Sequence, residues 1–215
     1  MNEESHRIGS RLNELLIAAG LDPLGPEASE RFGDYYSLLV RWNGRVNLTA
    51  IRDEEGILSR HFVESIACAR ALPAGIDTLL DFGSGAGFPG IPIALCRQEI
   101  AVTLAESQGK KAAFLQEAVR VLGISATVHA GRAEALGIQF GCVTLRAVDR
   151  MVEAAEAAGE QVRDGGWLAP MTTSGALDKL KAAAGADFHW ERTVALPGGD
   201  DRILALAQRK VSSPA

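Results

Sequence analysis

A glycine-rich break follows an apolar stretch in LLDFGSGAGFPGIP, residues 79–92, where Gly83, Gly85 and Gly87 are spaced G-x-G-x-G. Glycine has no Cβ and lets backbone N–H groups approach a ligand closely. A strand that turns through such residues into a helix aims those groups, and the helix N-terminus, at one spot. Open α/β sheets bind nucleotides there, although a tight turn with nothing bound uses the same residues. The dinucleotide fingerprint needs a third glycine where this chain has Phe88, and Pro89 follows at once. Gly109–Lys110 lacks both the upstream glycine and the following Ser or Thr of a phosphate loop, so the pattern does not fit ATP hydrolysis. Glu106 ends the next apolar run, about nineteen residues after Gly87. An acid there can accept hydrogen bonds from both hydroxyls of a ribose, the alternative being a solvated acid that opens a helix. A ribose acid without a diphosphate fingerprint suggests an adenosine ligand without phosphate, and S-adenosylmethionine is the common one.

Those residues need elements to hold them. Ile8, Leu12, Leu15, Leu16 and Ala19 recur at helical spacing, and Gly20 is placed to end that segment. A second stripe carries Phe32, Tyr35, Leu38, Leu39, Trp42 and Val46. A third, with Asp53 as a candidate cap, carries Ile57, Leu58, Phe62, Ile66 and Ala69. From Thr78 the pattern changes to short apolar runs, TLLDF, AVTLAE, ATVHA and CVTLRAV, separated by helical segments at IPIALCRQ, KKAAFLQEAVRVLG and MVEAAEAAGEQVR. GGWLAPMT, a helix at ALDKLKAAA and two runs suited to a hairpin, FHWERTVALP and DRILALAQRK, complete the chain. Alternating strands and helices predict an α/β fold, a parallel sheet covered on both faces with a hairpin at its edge. The division expected is a helical extension over 1–75, a ligand-binding core over 76–210 and a tail over 211–215.

Composition narrows the function classes. The 215 residues are 47% hydrophobic and 23% charged, which suits one sizeable globular domain. No apolar run reaches the ~20 residues that span a bilayer, and the polar N-terminus carries no signal-peptide core, so no membrane partner and a cytoplasmic location are expected. Cys68, Cys96 and Cys142 show neither a disulfide framework nor metal spacing. The net charge of −5 confines any nucleic-acid contact to local patches.

Across residues 35–210 the chain resembles the bacterial 16S rRNA guanine-N7 methyltransferases, also called glucose-inhibited division protein B. The motifs that carry the likeness are RWNGRVNLTAIRD, RHFVESI, LLDFGSGAGFPGIPIAL, LAESQGKKAAFLQEA, GRAEAL and LRAVDRM. The resemblance implies a Rossmann-like class I methyltransferase, a seven-stranded, mostly parallel sheet with an N-terminal helical extension. It also implies S-adenosylmethionine as methyl donor, with S-adenosylhomocysteine as product, and N7 of guanine 527 in the 530 loop of 16S rRNA as target. Gly83 and Phe88 would contact the cofactor, Ala133 and Glu134 would flank the adenine, and Arg146 would lie beside the cofactor and the incoming base. The family often has Phe-Ala where this chain has Val148–Asp149.

Methyl transfer to guanine N7 needs no general base, because N7 offers an in-plane lone pair and carries no proton. The chain lacks the Asn/Asp-Pro-Pro-aromatic stretch of exocyclic-amine enzymes, since LRAVDRM stands there. Cys142 and Cys96 read as core rather than as the nucleophile of cytosine-C5 enzymes. Arg41, Arg45, Arg52, Arg60, Lys110, Lys111, Arg132, Arg146 and Arg150 form a candidate phosphate-tracking stripe interrupted by Asp53, Glu54 and Glu55, with Arg45, Asn47, Lys110, Lys111 and Arg132 as the RNA contacts selected. Asn47 and Thr49 either shape a turn or touch RNA. His61 and Glu64, three apart, could form a catalytic pair, but a surface or helix-packing histidine is the preferred reading. Trp42 reads as core. Arg146→Ala is expected to reduce transfer while leaving the fold intact. The substrate is expected to be rRNA within the small ribosomal subunit, and the protein a monomer. The alternatives are a methyltransferase for another substrate and a non-catalytic ribosome-binding factor.

Overall fold

The computed structural model describes residues 3–147, 151–199 and 201–212. Helices α1 (Glu3–Ala18) and α2 (Pro26–Asn43) pack together in the N-terminal part. On α1, Ile8, Leu12 and Leu16 are fully buried at four-residue spacing, and the helix ends before Gly20 at φ +73°. Asp53 caps α3 (Glu54–Ile57), its Oδ2 accepting from the Gly56 N–H at 2.7 Å. The third helical stripe is not one regular helix. A π-helical turn, Leu58–Val63, joins α3 to α4 (Glu64–Ala71). Hydrophobic spacing reveals which face is buried but not a one-residue insertion that shifts the turn.

Seven strands form one sheet in the order β3-β2-β1-β4-β5-β7-β6. They are β1 (Thr78–Phe82), β2 (Ala101–Ala105), β3 (Ala126–His129), β4 (Phe140–Arg146), β5 (Val162–Thr173), β6 (Phe188–Ala195) and β7 (Arg202–Arg209). The first five are parallel, and β7 runs antiparallel to both β5 and β6, which gives the expected edge hairpin. Between the strands lie α5 (Gly90–Cys96), α6 (Gly109–Leu122), α7 (Met151–Glu160) and α8 (Leu177–Ala184). The helical reading of 151–163 runs too far. Val162 and Arg163 belong to β5, where Val162 pairs with Phe140 and is fully buried.

Alternation along the strands sorts side chains into two cores. Leu79 and Cys142 join the core beneath the N-terminal helices, whereas Leu80, Val143 and Leu145 face the core covered by α7. The N-terminal helices meet the sheet through an aromatic cluster. Phe62, with no exposed surface, lies 5.1 Å from Tyr35 and 5.2 Å from Phe88, ring centroid to centroid. Trp42 is half-buried rather than fully core: it packs on Phe114, and its Nε1–H donates to Glu117 at 3.0 Å. β1 lies at the point where the chain order reverses, β2 and β3 on one side and β4 on the other, so a crevice opens at the C-terminal ends of β1 and β4.

Because Phe62 bridges both parts, Phe62→Ala should destabilise the protein by about 3–5 kcal/mol. Urea denaturation followed by fluorescence and by circular dichroism should show one shared transition shifted to lower denaturant.

Candidate functional site

The turn after β1 is built by hydrogen bonds that begin in the strand. Asp81 is buried, accepting from Thr144 Oγ1 at 3.0 Å through Oδ1 and from the Gly90 N–H at 3.1 Å through Oδ2. It thereby fixes the start of α5. Burial pushes its pKa up to about 6, against the downward pull of those hydrogen bonds. Ser84 Oγ donates to the Asp81 carbonyl, and the Ser84 N–H donates to the carbonyl of Ala105 on β2. The Phe88–Pro89 peptide is cis.

The glycines of the turn do different work. Gly85 has φ +58°, and a Cβ there would meet nothing nearer than the Gly83 carbonyl at 3.9 Å, so its backbone faces open space. Gly87, at φ +90°, faces inward: a Cβ would sit 2.5 Å from Ile91 and 2.8 Å from the Tyr35 hydroxyl. Tyr35 in turn donates to the Ala86 carbonyl. Glu106 joins this turn to the one after β2, accepting from the Gly85 N–H at 2.9 Å and the Gln108 N–H at 2.7 Å.

A cavity of about 690 Å³ occupies the crevice. One wall is the Gly83–Ala86 turn with Glu106, and a second is Gly131–Glu134 after β3. Arg146 and Ala147 at the end of β4 close a third side, while Thr49, His61 and Phe88 close the fourth.

Around Arg146 the electrostatics are unusual. Glu64 has no exposed surface and takes contacts from three guanidinium groups. Arg146 Nη2 lies at 3.0 Å, Arg202 Nε at 2.9 Å and Arg60 Nε at 3.4 Å. Arg146 Nη2 also donates to the Arg60 carbonyl within the π-helical turn and approaches His61 Nδ1 at 3.2 Å. Three cations share one anion, so positive charge is left over at the cavity wall. Arg146 Nε is buried and finds no acceptor among the described residues. Burial, partly offset by Glu64, lowers the Arg146 pKa. His61 stacks on Phe88, with centroids 5.0 Å apart and planes at 24°, and its Nε2 lies 2.7 Å from Thr49 Oγ1. Burial first and Arg146 second push the His61 pKa down to about 3, so the ring is neutral at physiological pH.

A family model described as rRNA small subunit methyltransferase G matches residues 28–191. The chain belongs to this family. A ribosomal RNA small subunit methyltransferase G of Roseiflexus sp. (strain RS-1) is 40% identical over 190 residues, covering 82% of this chain and 81% of that protein. The protein of that name in Neisseria meningitidis serogroup C / serotype 2a is 40% identical over 163 residues, covering 75% and 78%. Solved structures share the fold at lower identity. The ribosomal protein L11 methylase of Lactobacillus delbrueckii subsp. bulgaricus matches with a TM-score of 0.57 and 13% identity over 74% of this chain and 80% of that one. The Thermus thermophilus 16S rRNA N2 G1207 methyltransferase, solved with AdoMet and guanosine, gives 0.52 and 14% over 71% and 40%.

In this member of the methyltransferase G family the sequence-selected residues divide clearly. Gly83, Gly85, Phe88, Glu106, Ala133, Glu134 and Arg146 all line the cavity, as do Lys111 and Arg132. Gly87, Arg45, Asn47 and Lys110 do not line it. The stripe of cations is dispersed: Arg41 pairs with Glu117, Arg52 donates to Asn47, and Arg60 belongs to the Glu64 cluster. Val148, Asp149 and Arg150 lie outside the described residues. Of the two readings preferred for His61, the packing one fits: the ring stacks on Phe88 in the cavity wall, and Glu64 is a buried counter-ion of arginines. Removing Arg146 would leave Glu64 with Arg202 and Arg60 alone, so Arg146→Ala is expected to cost stability as well as transfer. Glu64 lies four residues after Arg60 and three after His61 in RHFVES, spacings that bring side chains together on a helix, and these were the available signal. Asp81 and Asn43 were passed over. Asn43 is buried and accepts from the Leu48 and Thr49 N–H groups at 2.9 and 3.0 Å, which sets the position of Thr49.

The depressed His61 pKa makes a signed prediction. The neutral ring stabilises the fold above the unfolded-state value near 6.5, and that contribution is lost as pH falls towards 3. The raised Asp81 pKa works in the opposite sense between 3.8 and about 6, but it is common to wild type and variant. The stability difference between wild type and His61→Gln should therefore shift against the wild type by at most about 1.4 kcal/mol per pH unit below pH 6.5, read from urea denaturation at pH 7, 6 and 5.

Proposed function

We propose that the cavity seats S-adenosylmethionine and that the enzyme methylates N7 of guanine 527 in the 530 loop of 16S rRNA. The observation that carries this reading is the cavity itself. It lies at the reversal point of a methyltransferase-family sheet and combines a Gly85 turn open on its Cβ side, a held carboxylate and the Arg146 guanidinium.

The residues suit the cofactor. Glu106 accepts one N–H at each oxygen, and each oxygen keeps a further lone-pair direction for a ribose hydroxyl. Gly83, Gly85 and Phe88 would line the amino-acid and ribose side, Ala133 and Glu134 the adenine, and Arg146 would stand beside the reacting end. Gly87 would act indirectly, by letting α5 and Tyr35 pack beneath the turn. When bound, S-adenosylmethionine supplies an electrophilic methyl on a sulfonium, with a neutral thioether as leaving group.

The protein's own task is positioning. Bringing N7 to ~3 Å from the methyl carbon, in line, is worth several kcal/mol. Among the described residues His61, the histidine of the cavity wall, is not poised to remove a proton. Neutral His61 has both ring nitrogens engaged, by Arg146 and by Thr49. Such a site suits a nucleophile whose lone pair is already free, as at N7. Lys111 and Arg132 would meet the RNA at the rim, and Arg45, Asn47 and Lys110 would contact it farther out. A local positive region on an acidic chain fits a substrate presented as rRNA in the small subunit, met by a monomer in the cytoplasm. The N-terminal 1–75 segment then serves as an extension that completes the cavity wall of the 76–210 core.

Transfer of a tritiated methyl group to small subunits from a strain lacking the enzyme should label guanine 527 as its N7-methyl derivative, identified by mass spectrometry of nuclease fragments. Label in protein, in a small metabolite or at another nucleotide would overturn the assignment. In parallel, Gly85→Val places a β-branched side chain at φ +58° in the cavity, and calorimetry should show cofactor affinity at least tenfold weaker. Unchanged affinity would remove the glycine turn from the site.

A further inference from the structure

We propose that Arg202, which does not line the cavity, is a positioning residue for methyl transfer: it locks the Glu64 carboxylate in the orientation that holds Arg146 at the cavity wall. This rests on the reading above that Arg146 stands beside the reacting end. The inference follows from how one buried carboxylate is shared. Arg146 Nη2 donates to Glu64 Oε2 at 3.0 Å, and Arg60 Nε lies 3.4 Å from Oε1. Arg202 spans both oxygens. Its Nη2 donates to Oε2 at 3.1 Å, and its Nε lies 2.9 Å from Oε1 as an ion-pair contact.

The last torsion of a glutamate is broad, so a carboxylate gripped at one oxygen can turn about that bond. A planar guanidinium that meets both oxygens removes the freedom. With the carboxylate plane set, Oε2 offers a fixed direction to Arg146 Nη2, which also donates to the Arg60 carbonyl.

The grip is anchored in the edge hairpin. Arg202 opens β7 and pairs with Thr173 of β5. Its N–H donates to the Gly199 carbonyl at 3.3 Å, and its carbonyl accepts from the Leu196 N–H at 2.9 Å. The loop between β6 and β7 closes over the carboxylate, since a Cβ on Gly198 would lie 3.0 Å from Glu64 Oε1. Side-chain exposure is 21% for Arg202 and 43% for Arg60. Arg60 is the more solvated cation and is nearest to one oxygen, so the lock falls to Arg202. Lysine would keep the charge, but as a point donor on a flexible stem it cannot span two oxygens in one plane. Arg202→Lys therefore separates geometry from charge.

The test uses full-length enzyme with small subunits and S-adenosylmethionine. Arg202→Lys should lower kcat about tenfold, with the KM for subunits and the Tm close to wild type. In an Arg146→Lys background the same change should alter kcat by less than about twofold, because its route runs through Arg146. Nitrogen-15 spectra read the contact without activity. The buried Arg146 Nε–H, assigned by its loss in Arg146→Lys, should exchange with water at least about tenfold faster in Arg202→Lys. Wild-type kcat in Arg202→Lys overturns the proposal, as does an equal loss in both backgrounds or an unchanged exchange rate. If Arg146→Lys gives no turnover, the kcat and the exchange rate of Arg202→Lys decide by the same criteria. Arg202→Gln substitutes if Arg202→Lys does not fold. Faster exchange in Arg202→Lys together with wild-type turnover by Arg146→Lys would instead sink the placement of Arg146 at the reacting end.

Discussion

Glu64 is fully buried on the π-to-α junction of the third helix, and its carboxylate holds Arg146 from β4 and Arg202 from β7. Desolvating these charges is expensive, and an apolar replacement of the same volume would often be as stable. The cluster is better understood through what it positions. Arg146 is pinned by its Nη2 to Glu64 and to the Arg60 carbonyl, so its remaining N–H groups have a fixed direction. The extra residue of the π-helical turn puts the Arg60 carbonyl and the Glu64 carboxylate within reach of that one guanidinium. His61 Nδ1 lies 3.2 Å from the same arginine, and its Nε2 lies 2.7 Å from Thr49 Oγ1. One buried anion therefore sets the geometry of a whole cavity wall.

The side formed by the Gly83–Ala86 turn and Glu106 follows a different logic, in which backbone is held by carboxylates. Asp81 ties the end of β1 to the start of α5, and Glu106 ties the glycine turn to the turn after β2. Each acid fixes N–H groups that would otherwise compete for the ligand or for water. Gly85 is thereby held open towards the cavity, while Gly87 packs tightly beneath it. A rigid glycine turn of this kind makes room for a ligand at little cost in ordering on binding.

Much of this was legible in the chain. Period-two apolar runs alternating with helical stripes gave the parallel sheet and its edge hairpin, and G-x-G-x-G followed by Glu106 gave the crevice. These signals are local, carried by residues near one another in sequence. Glu64 and Arg146 are 82 residues apart, and nothing in RHFVES says that a strand end will arrive beside it. His61 follows the same rule: its packing on Phe88 and its approach to Arg146 are set by residues 27 and 85 positions away. The stripe of cations is cut the other way. Sequence counts charges without their partners, and Glu117 claims Arg41, Asn47 claims Arg52, and Glu64 claims both Arg60 and Arg146. Gly87 resembles Gly85 as a letter, and only the packing of Ile91 and Tyr35 separates them.

The two walls differ in polarity, and that difference bears on the chemistry. The sheet edge offers Glu106, an acceptor suited to hydroxyl groups. The wall of Arg146, His61 and Thr49 offers a guanidinium held by a buried anion, beside a histidine whose two ring nitrogens both lie against neighbours. Methyl transfer to guanine N7 uses a lone pair that is already free, so the chemistry asks the protein for positioning and not for a base.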